Sequence, residues 1–218
     1  MNQRTAKSVV PRSYRHLVLD ALFPLVCPGC GRRGDPVCAA CGAQLHPAPH
    51  APAPPGVDAW WAAFAYEGVA REVVARVKYR GARAAVPWLA DAMVDACVGG
   101  LPAVDVVTWA PTSRERRHRR GFDPAELLAR AVARRMRVRC AGLLERGPGP
   151  PQTGLHAADR RRGPSYSVRR AVAPSILLVD DIATTGATLS AAATSLRRAG
   201  ARTVVAVTAA RTPPPLSS

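Results

Sequence analysis

One stretch constrains the fold of this chain more than any other. Ile176-Leu177-Leu178-Val179 runs without a polar break into Asp180-Asp181, and Ile182-Ala183-Thr184-Thr185-Gly186-Ala187-Thr188-Leu189 follows. A short, wholly apolar run of this kind is expected of a strand buried on both faces. Residues 187–198 read as a helix with Leu189 and Leu196 inward, stopped by Gly200. Thr203-Val204-Val205-Ala206-Val207-Thr208 reads as the next buried strand. Strand, loop, helix and strand imply a right-handed parallel crossover, and so an α/β fold with a doubly wound, mostly parallel sheet.

The rest of the chain supplies more such units. Val69, Val73, Val74 and Val77 recur at helical spacing, residues 86–97 suggest another helix, and Val104 to Trp109 has the β-branched character of a strand. A further helix is expected near Asp123: Asp123 serves as N-cap, Pro124 fits the first helical position, and Glu126 is placed to reach back as in a capping box. Its buried stripe would be Leu127, Leu128, Ala131 and Val132.

The chemistry sits after the buried strand. Asp180 and Asp181 sit at the carboxyl end of the buried strand, where open α/β sheets bind ligands. The turn Thr184, Thr185, Gly186, Ala187, Thr188 offers backbone N–H groups, hydroxyls and a helix N-terminus to one anion. Gly186 permits close approach. Adjacent acids would repel a phosphate, but they suit two neighbouring hydroxyls, such as those of a ribose. Sugar-binding acids beside a phosphate cradle describe a phosphoribosyl site. A strand followed by an ordinary Asp- and Thr-capped helix, or a receiver-type or haloacid-type aspartate site, is the competing reading.

Cys27-Pro28-Gly29-Cys30 and Cys38-Ala39-Ala40-Cys41 form two C-x-x-C knuckles, each followed by glycine. Four thiolates make a closed tetrahedral shell, as in a structural Zn²⁺ site. Residues 31–37 make a shorter spacer than the roughly 15–20 residues of the usual ribbon. A redox pair, a disulfide pair or an iron–sulfur cluster are the alternatives. Cys97 and Cys140 are expected to pack as small apolar residues.

The organisation follows. Residues 1–46 hold an N-terminal helix, over 14–23, and the four-cysteine zinc ribbon; 47–57 are a Pro/Ala-rich linker; 58–211 are the α/β domain; 212–218 are a disordered tail. No apolar run approaches the ~18–20 residues of a membrane span. The N-terminal run from Leu17 to Val26 carries Asp20 and lacks a small-x-small cleavage site, so a signal peptide is not expected and the protein is placed in the cytoplasm.

The net charge is +16, from 31 Lys+Arg against 15 Asp+Glu. Such an excess favours polyanionic partners or is simply a solvated arginine-rich surface. Arg114-Glu115-Arg116-Arg117-His118-Arg119-Arg120, Arg160-Arg161-Arg162 and Arg169-Arg170 carry much of it. Arginine patches bind phosphate without base selectivity. Trp60, Trp61 and Tyr79 are candidates for stacking on unpaired bases or for the core.

The strand–Asp-Asp–Thr-Thr-Gly-Ala-Thr segment resembles the phosphoribosyl pyrophosphate (PRPP) motif of type I phosphoribosyltransferases. Three further stretches are similar to the ComF family. They are Phe64 to Gly68 leading into Val77-Lys78-Tyr79-Arg80-Gly81; Pro111 through Arg116 to Arg119-Arg120-Gly121-Phe122; and Pro150 to Leu155 with Arg160 and Tyr166. With the cysteine knuckles the resemblance spans nearly the whole chain. It departs where Arg120-Gly121-Phe122 runs into Asp123-Pro124 instead of the family's usual Asn-Gln, and where Arg161-Arg162-Gly163 follows Arg160. By that resemblance Asp180 and Asp181 hold the ribose hydroxyls and Thr184, Thr185, Gly186, Ala187 and Thr188 hold the 5′-phosphate. Arg116 and Arg120 contact the pyrophosphate with its Mg²⁺. The implied partners are PRPP or a related phosphoribosyl ligand, single-stranded DNA and a competence import helicase. A phosphoribosyltransferase of nucleobase salvage is the alternative; no general base stands out in the sequence.

Overall fold

The computed structural model describes residues 25–79, 82–147 and 164–213. The helix expected over 14–23, the Arg160–Arg162 cluster and the end of the tail lie outside these residues. The elements in chain order are α1 (Ala39–Gly42), β1 (Ala59–Ala65), α2 (Gly68–Tyr79), α3 (Val86–Asp95) and β2 (Val106–Trp109). Then come α4 (Arg114–Arg120), α5 (Pro124–Met136), β3 (Arg139–Cys140), β4 (Leu144–Arg146), β5 (Tyr166–Val168), β6 (Ser175–Ala183), α6 (Ala187–Arg198) and β7 (Thr203–Arg211).

Five strands form one sheet in the order β1-β7-β6-β2-β3, and every pairing in it is parallel. β4 and β5 form a separate antiparallel pair. Alternation along β6 explains its apolar run. Leu177 and Val179 join a cluster with Val73 and Val77 of α2, Leu89 and Met93 of α3, and Leu128 and Val132 of α5. Ile176 and Leu178 join Leu189, Ala192 and Leu196 of α6 and Leu144 and Tyr166 of the hairpin. All four β6 residues are 0% exposed, so the sheet is covered on both faces. The expected doubly wound α/β architecture is present.

The strands β6 and β7 run further than the apolar pattern predicts. Ladder pairing continues through Asp180↔Thr208 to Ala183↔Arg211, so both aspartates belong to the strand and not to the turn after it. α5 begins at the expected N-cap, with Ala125 N donating to Asp123 Oδ1 at 3.1 Å. Glu126 does not reach back as in a capping box: its carboxylate accepts from Arg130 and bridges Arg117. Two cations compete for that carboxylate and win. Ala129 joins the buried stripe and Leu127 is half-buried, a rotation of the stripe toward α3 and the sheet.

The cysteine segment packs onto this core. Val26 bridges Arg33, and Cys27, Val37, Cys38 and Cys41 share the cluster that contains α2 and α3. The proline-rich stretch then crosses β1, with Pro47 bridging Phe64 and Val57 N donating to Pro54 O at 3.0 Å.

Candidate functional site at the carboxyl ends of β2 and β6

The winding of the sheet creates a crevice. The chain leaves β2 toward α5 on one face and leaves β6 toward α6 on the other. Between two neighbouring strands whose connections diverge in this way, nothing fills the space past their carboxyl ends. Trp109 pairs with Val179, and Ala110 N donates to Val179 O at 3.1 Å, so the residues after Trp109 lie beside Asp180 and Asp181.

A cavity of about 170 Å³ occupies this crevice; Asp180, Asp181, Thr188, Arg116, Arg120 and Lys78 are among the residues that wall it. The two acids are each 8% exposed. Asp180 Oδ1 accepts from Asp181 N at 2.8 Å, and Asp181 Oδ1 accepts from Ile182 N at 2.6 Å. Lys78 Nζ lies 2.9 Å from Asp181 Oδ1. Burial holds the Asp180 carboxyl well above the usual aspartate range, and the charge of Asp181 adds to that push. Among the described residues, the remaining carboxyl oxygens of the pair are free to meet two neighbouring hydroxyls.

The far wall comes from α4 and the start of α5. An arginine run has no apolar stripe to fold around, so α4 depends on its ends. Ser113 Oγ accepts from Arg116 N at 3.3 Å, and Gly121 closes the helix with φ +73°. Arg116 and Arg120, four residues apart, share one side and reach the cavity. The Arg120 guanidinium stacks 4.6 Å from the Tyr79 ring centroid. Asp123 also lines the cavity while bonding Thr112 N at 2.8 Å, which ties the loop after β2 to α5. Burial raises the Asp123 carboxyl above its ordinary value, its backbone hydrogen bonds notwithstanding.

The threonine turn divides. Thr188 faces the cavity, whereas Thr184 and Thr185 are exposed. Gly186 has φ +73°, and a Cβ there would meet Pro54 Cγ at 2.6 Å. Only glycine fits both the turn and Pro54 above it. Lys78 and Arg146 are charged cavity residues to which the sequence assigns no role. Lys78 belongs to the 77–81 stretch and stands at the end of α2, where only the packing reveals its place at the cavity, and Arg146 comes from the β4–β5 hairpin without a local signal. A larger cavity of about 620 Å³, walled by Ser113, Glu145 and Ser167, contains neither the paired acids nor the threonines.

The second cluster lies in the cysteine segment. The sulfurs of Cys27, Cys30, Cys38 and Cys41 all lie within 4.8 Å of one another. Cys30 Sγ and Cys38 Sγ are 3.6 Å apart, and Cys38 N donates to Cys27 Sγ at 3.4 Å. Burial alone would push the Cys27 thiol up. The N–H groups of Cys38, Cys30 and Gly29 outweigh it and bring the thiol down to about 6. Burial pushes Cys41 up to about 12, with the neighbouring thiols adding to the effect. Four converging sulfurs, one already favoured as thiolate, fit a tetrahedral soft-metal site. Gly29 keeps it compact, since a Cβ would stand 2.6 Å from Cys41 Sγ. Cys97 is buried, its Sγ donating to Met93 O at 3.2 Å, and Cys140 is half-buried.

No helix among the described residues is long and apolar enough to cross a membrane. No family model matches the chain, and no curated protein matches it. Among solved structures, one described as the allosteric regulatory enzyme of purine biosynthesis is similar at 23% identity with a TM-score of 0.41, over 63% of this chain. The match spans 27% of that protein, so the functional reading rests on the cleft's own residues.

Proposed function

We propose that this protein is a ComF-like member of the type I phosphoribosyltransferase fold that binds PRPP or a related phosphorylated ribose with Mg²⁺. The observation that carries the reading is the meeting of Asp180, Asp181, Thr188, Arg116 and Arg120 around one crevice at the winding reversal. Asp180 and Asp181 take the two ribose hydroxyls. The 5′-phosphate rests on the turn from Thr184 to Thr188, at the N-terminus of α6. Arg116 and Arg120 face the pyrophosphate, whose charge Mg²⁺ offsets when bound. The cavity is smaller than the roughly 300–1,000 Å³ of most ligand pockets. Its ligand therefore extends outward, over the exposed Thr184 and Thr185.

Cys27, Cys30, Cys38 and Cys41 hold a structural Zn²⁺ in this reading, and the metal fastens the cysteine segment to α2 and α3. The exposed arginines of α4 support a role in handling single-stranded DNA in the cytoplasm during natural competence, alongside an import helicase. Transfer of the phosphoribosyl group is the second reading. Arg146 adds a cation from the hairpin across from α4, which suits stabilisation of a departing pyrophosphate.

Calorimetric titration of PRPP, with and without Mg²⁺, tests the site. The wild type binds in a Mg²⁺-dependent manner, and the Asp180→Asn/Asp181→Asn variant loses binding while keeping a cooperative melt. Unchanged affinity in that variant ends the assignment. Pyrophosphate release in the presence of a nucleobase separates transfer from binding alone.

A further inference from the structure

Arg211 ends β7 and is 5% exposed. Arg114, Arg117, Arg130, Arg135, Arg169 and Arg197 each reach a carboxylate. Arg211 does not, and its Nε and Nη2 have no hydrogen-bond acceptor among the described residues. Burial lowers its pKa from the usual arginine value, and no acid offsets the shift. A guanidinium in such a place is costly unless something answers its N–H groups.

The two unanswered donors are informative as a pair. Nε–H and the nearer N–H of Nη2 lie along one edge of the guanidinium plane, spaced for two oxygens of a single carboxylate or phosphate. The flat face is already held: Cζ lies 5.0 Å from the centroid of the Trp60 ring, and Trp60 Nε1 donates to Thr208 Oγ1 at 3.4 Å. The group is thus oriented by an aromatic surface and has no counter-ion among the described residues.

Arg211 and Trp60 both wall a cavity of about 470 Å³ that follows β1, bounded by the strap residues 47–51 on one side and by Ala92, Asp95 and Ala96 on the other. The volume is within the usual range for small-molecule sites. Trp61 and Phe64 add apolar wall, and Asp95 would repel an anion, which leaves the Arg211 end for the charge. The cavity shares no wall residue with the Asp180 crevice. The Nε and Nη2 atoms are covered in this structure. An occupant must displace what covers them, and the strap 47–51 that bounds the cavity is lightly held. Two backbone hydrogen bonds tie it to β1, Ala48 N to Ala63 O at 3.3 Å and Ala65 N to His46 O at 2.9 Å.

We propose that this cavity is a second ligand site, which takes a small molecule bearing a carboxylate or phosphate on a flat apolar body. The oxyanion meets the Nε/Nη2 edge of Arg211, and the body lies along Trp60 and Phe64. The proposal is independent of the reading of the crevice.

The test uses the full chain, with nitrogen-15 spectra of the arginine Nε–H groups recorded during titration with benzoate, phenyl phosphate and inorganic phosphate. The Arg211 resonance, identified by its loss in Arg211→Lys, is expected to shift saturably with benzoate or phenyl phosphate, and the tighter of the two names the oxyanion. Arg211→Lys keeps the charge but loses the fork, so binding, followed in that variant and in the wild type through the Trp60 indole N–H, weakens by about tenfold or more. Asp180→Asn/Asp181→Asn leaves this binding unchanged, whatever that variant does to PRPP. The wild-type titration stands even where Arg211→Lys folds poorly, because the chemical shift is read in the unaltered protein. Absence of a saturable shift with all three probes overturns the proposal, as does equal affinity in a folded Arg211→Lys. Inorganic phosphate binding as tightly as the aromatic anions overturns the apolar half of it.

Discussion

Lys78→Met tests whether the crevice is held together by charge. Lys78 Nζ lies 2.9 Å from Asp181 Oδ1, with the two side chains 18% and 12% exposed. At an effective dielectric constant of about 20, that separation corresponds to roughly 6 kcal/mol of gross attraction. Desolvation of both ions cancels much of it, so the intact pair adds little net stability. Removal of one partner is another matter. Methionine keeps the apolar stem and leaves Asp181 charged and unpaired beside Asp180, which costs about 3–5 kcal/mol. That is a large part of the roughly 5–15 kcal/mol that holds a domain folded.

The deficit depends on pH, and the sign follows from Asp180. Burial and the Asp181 charge raise its pKa, while Lys78 pulls it down. Loss of Lys78 raises it further. A carboxyl raised in the folded state favours folding fully below the unfolded value, near 4, and that contribution is lost as pH rises through the folded value. The deficit of Lys78→Met is therefore smallest below about pH 4, where the carboxyls are protonated folded or unfolded, and grows as pH rises through the folded Asp180 value. Urea unfolding of wild type, Lys78→Met, Asp181→Asn and the double variant at about pH 4 and about pH 7 measures it. The double variant recovers most of the loss, because neither charge is left alone. A deficit below ~1 kcal/mol at neutral pH would mean that the crevice does not depend on this pair.

Two further outcomes are expected. Metal analysis finds about one zinc per chain; Cys27→Ser loses it and melts lower, and a metal-free wild type of unchanged stability contradicts the ribbon. Gly186→Ala forces φ +73° on a residue with a Cβ 2.6 Å from Pro54 Cγ. It costs about 1–3 kcal/mol in urea unfolding and weakens PRPP binding, and a neutral effect would show that Pro54 is not seated on the turn.

The parts of this fold that can be read from sequence are those in which one local pattern decides the outcome. Ile176–Val179 is apolar throughout because both faces are covered, and Asp123-Pro124 starts a helix because a cap and a proline meet there. The parts that cannot be read depend on distant partners. Lys78 stands at the end of a valine-striped helix, and only the packing of α2 brings it to Asp181. The helix α4 has no periodicity to detect, since every turn carries arginine. β1 holds two adjacent tryptophans that serve opposite faces, Trp61 against the cluster with α3 and Trp60 against that with α6. That division emerges only once β7 fixes the register of the strand. The cavity-facing acids are legible as a pair at the strand's carboxyl end, but the strand's continuation to Ala183 is not, because it follows from pairing with β7.

The charge of +16 also reads differently once the pairs are known. In the α4 run, Arg114 is bonded to Glu145 and Arg117 to Glu126, while Arg116 and Arg120 turn toward the crevice. Arg119 remains exposed, with no carboxylate in reach among the described residues. Single-stranded nucleic acid releases counterions with a slope near −0.7 per phosphate contact, so engagement of all the run's arginines would give roughly −3.5. With the pairs intact, a slope of about −1 to −2 is expected for oligonucleotide binding. Glu145 is the residue to change. Its hydrogen bonds with Arg169 and Arg114 hold its carboxyl down at about 2, so both cations stay occupied at neutral pH. Glu145→Gln frees both and steepens the salt dependence by about 1.4, two contacts at 0.7 each. A wild-type slope already near −3.5, or no change in Glu145→Gln, would mean that nucleic acid outcompetes these pairs or binds elsewhere.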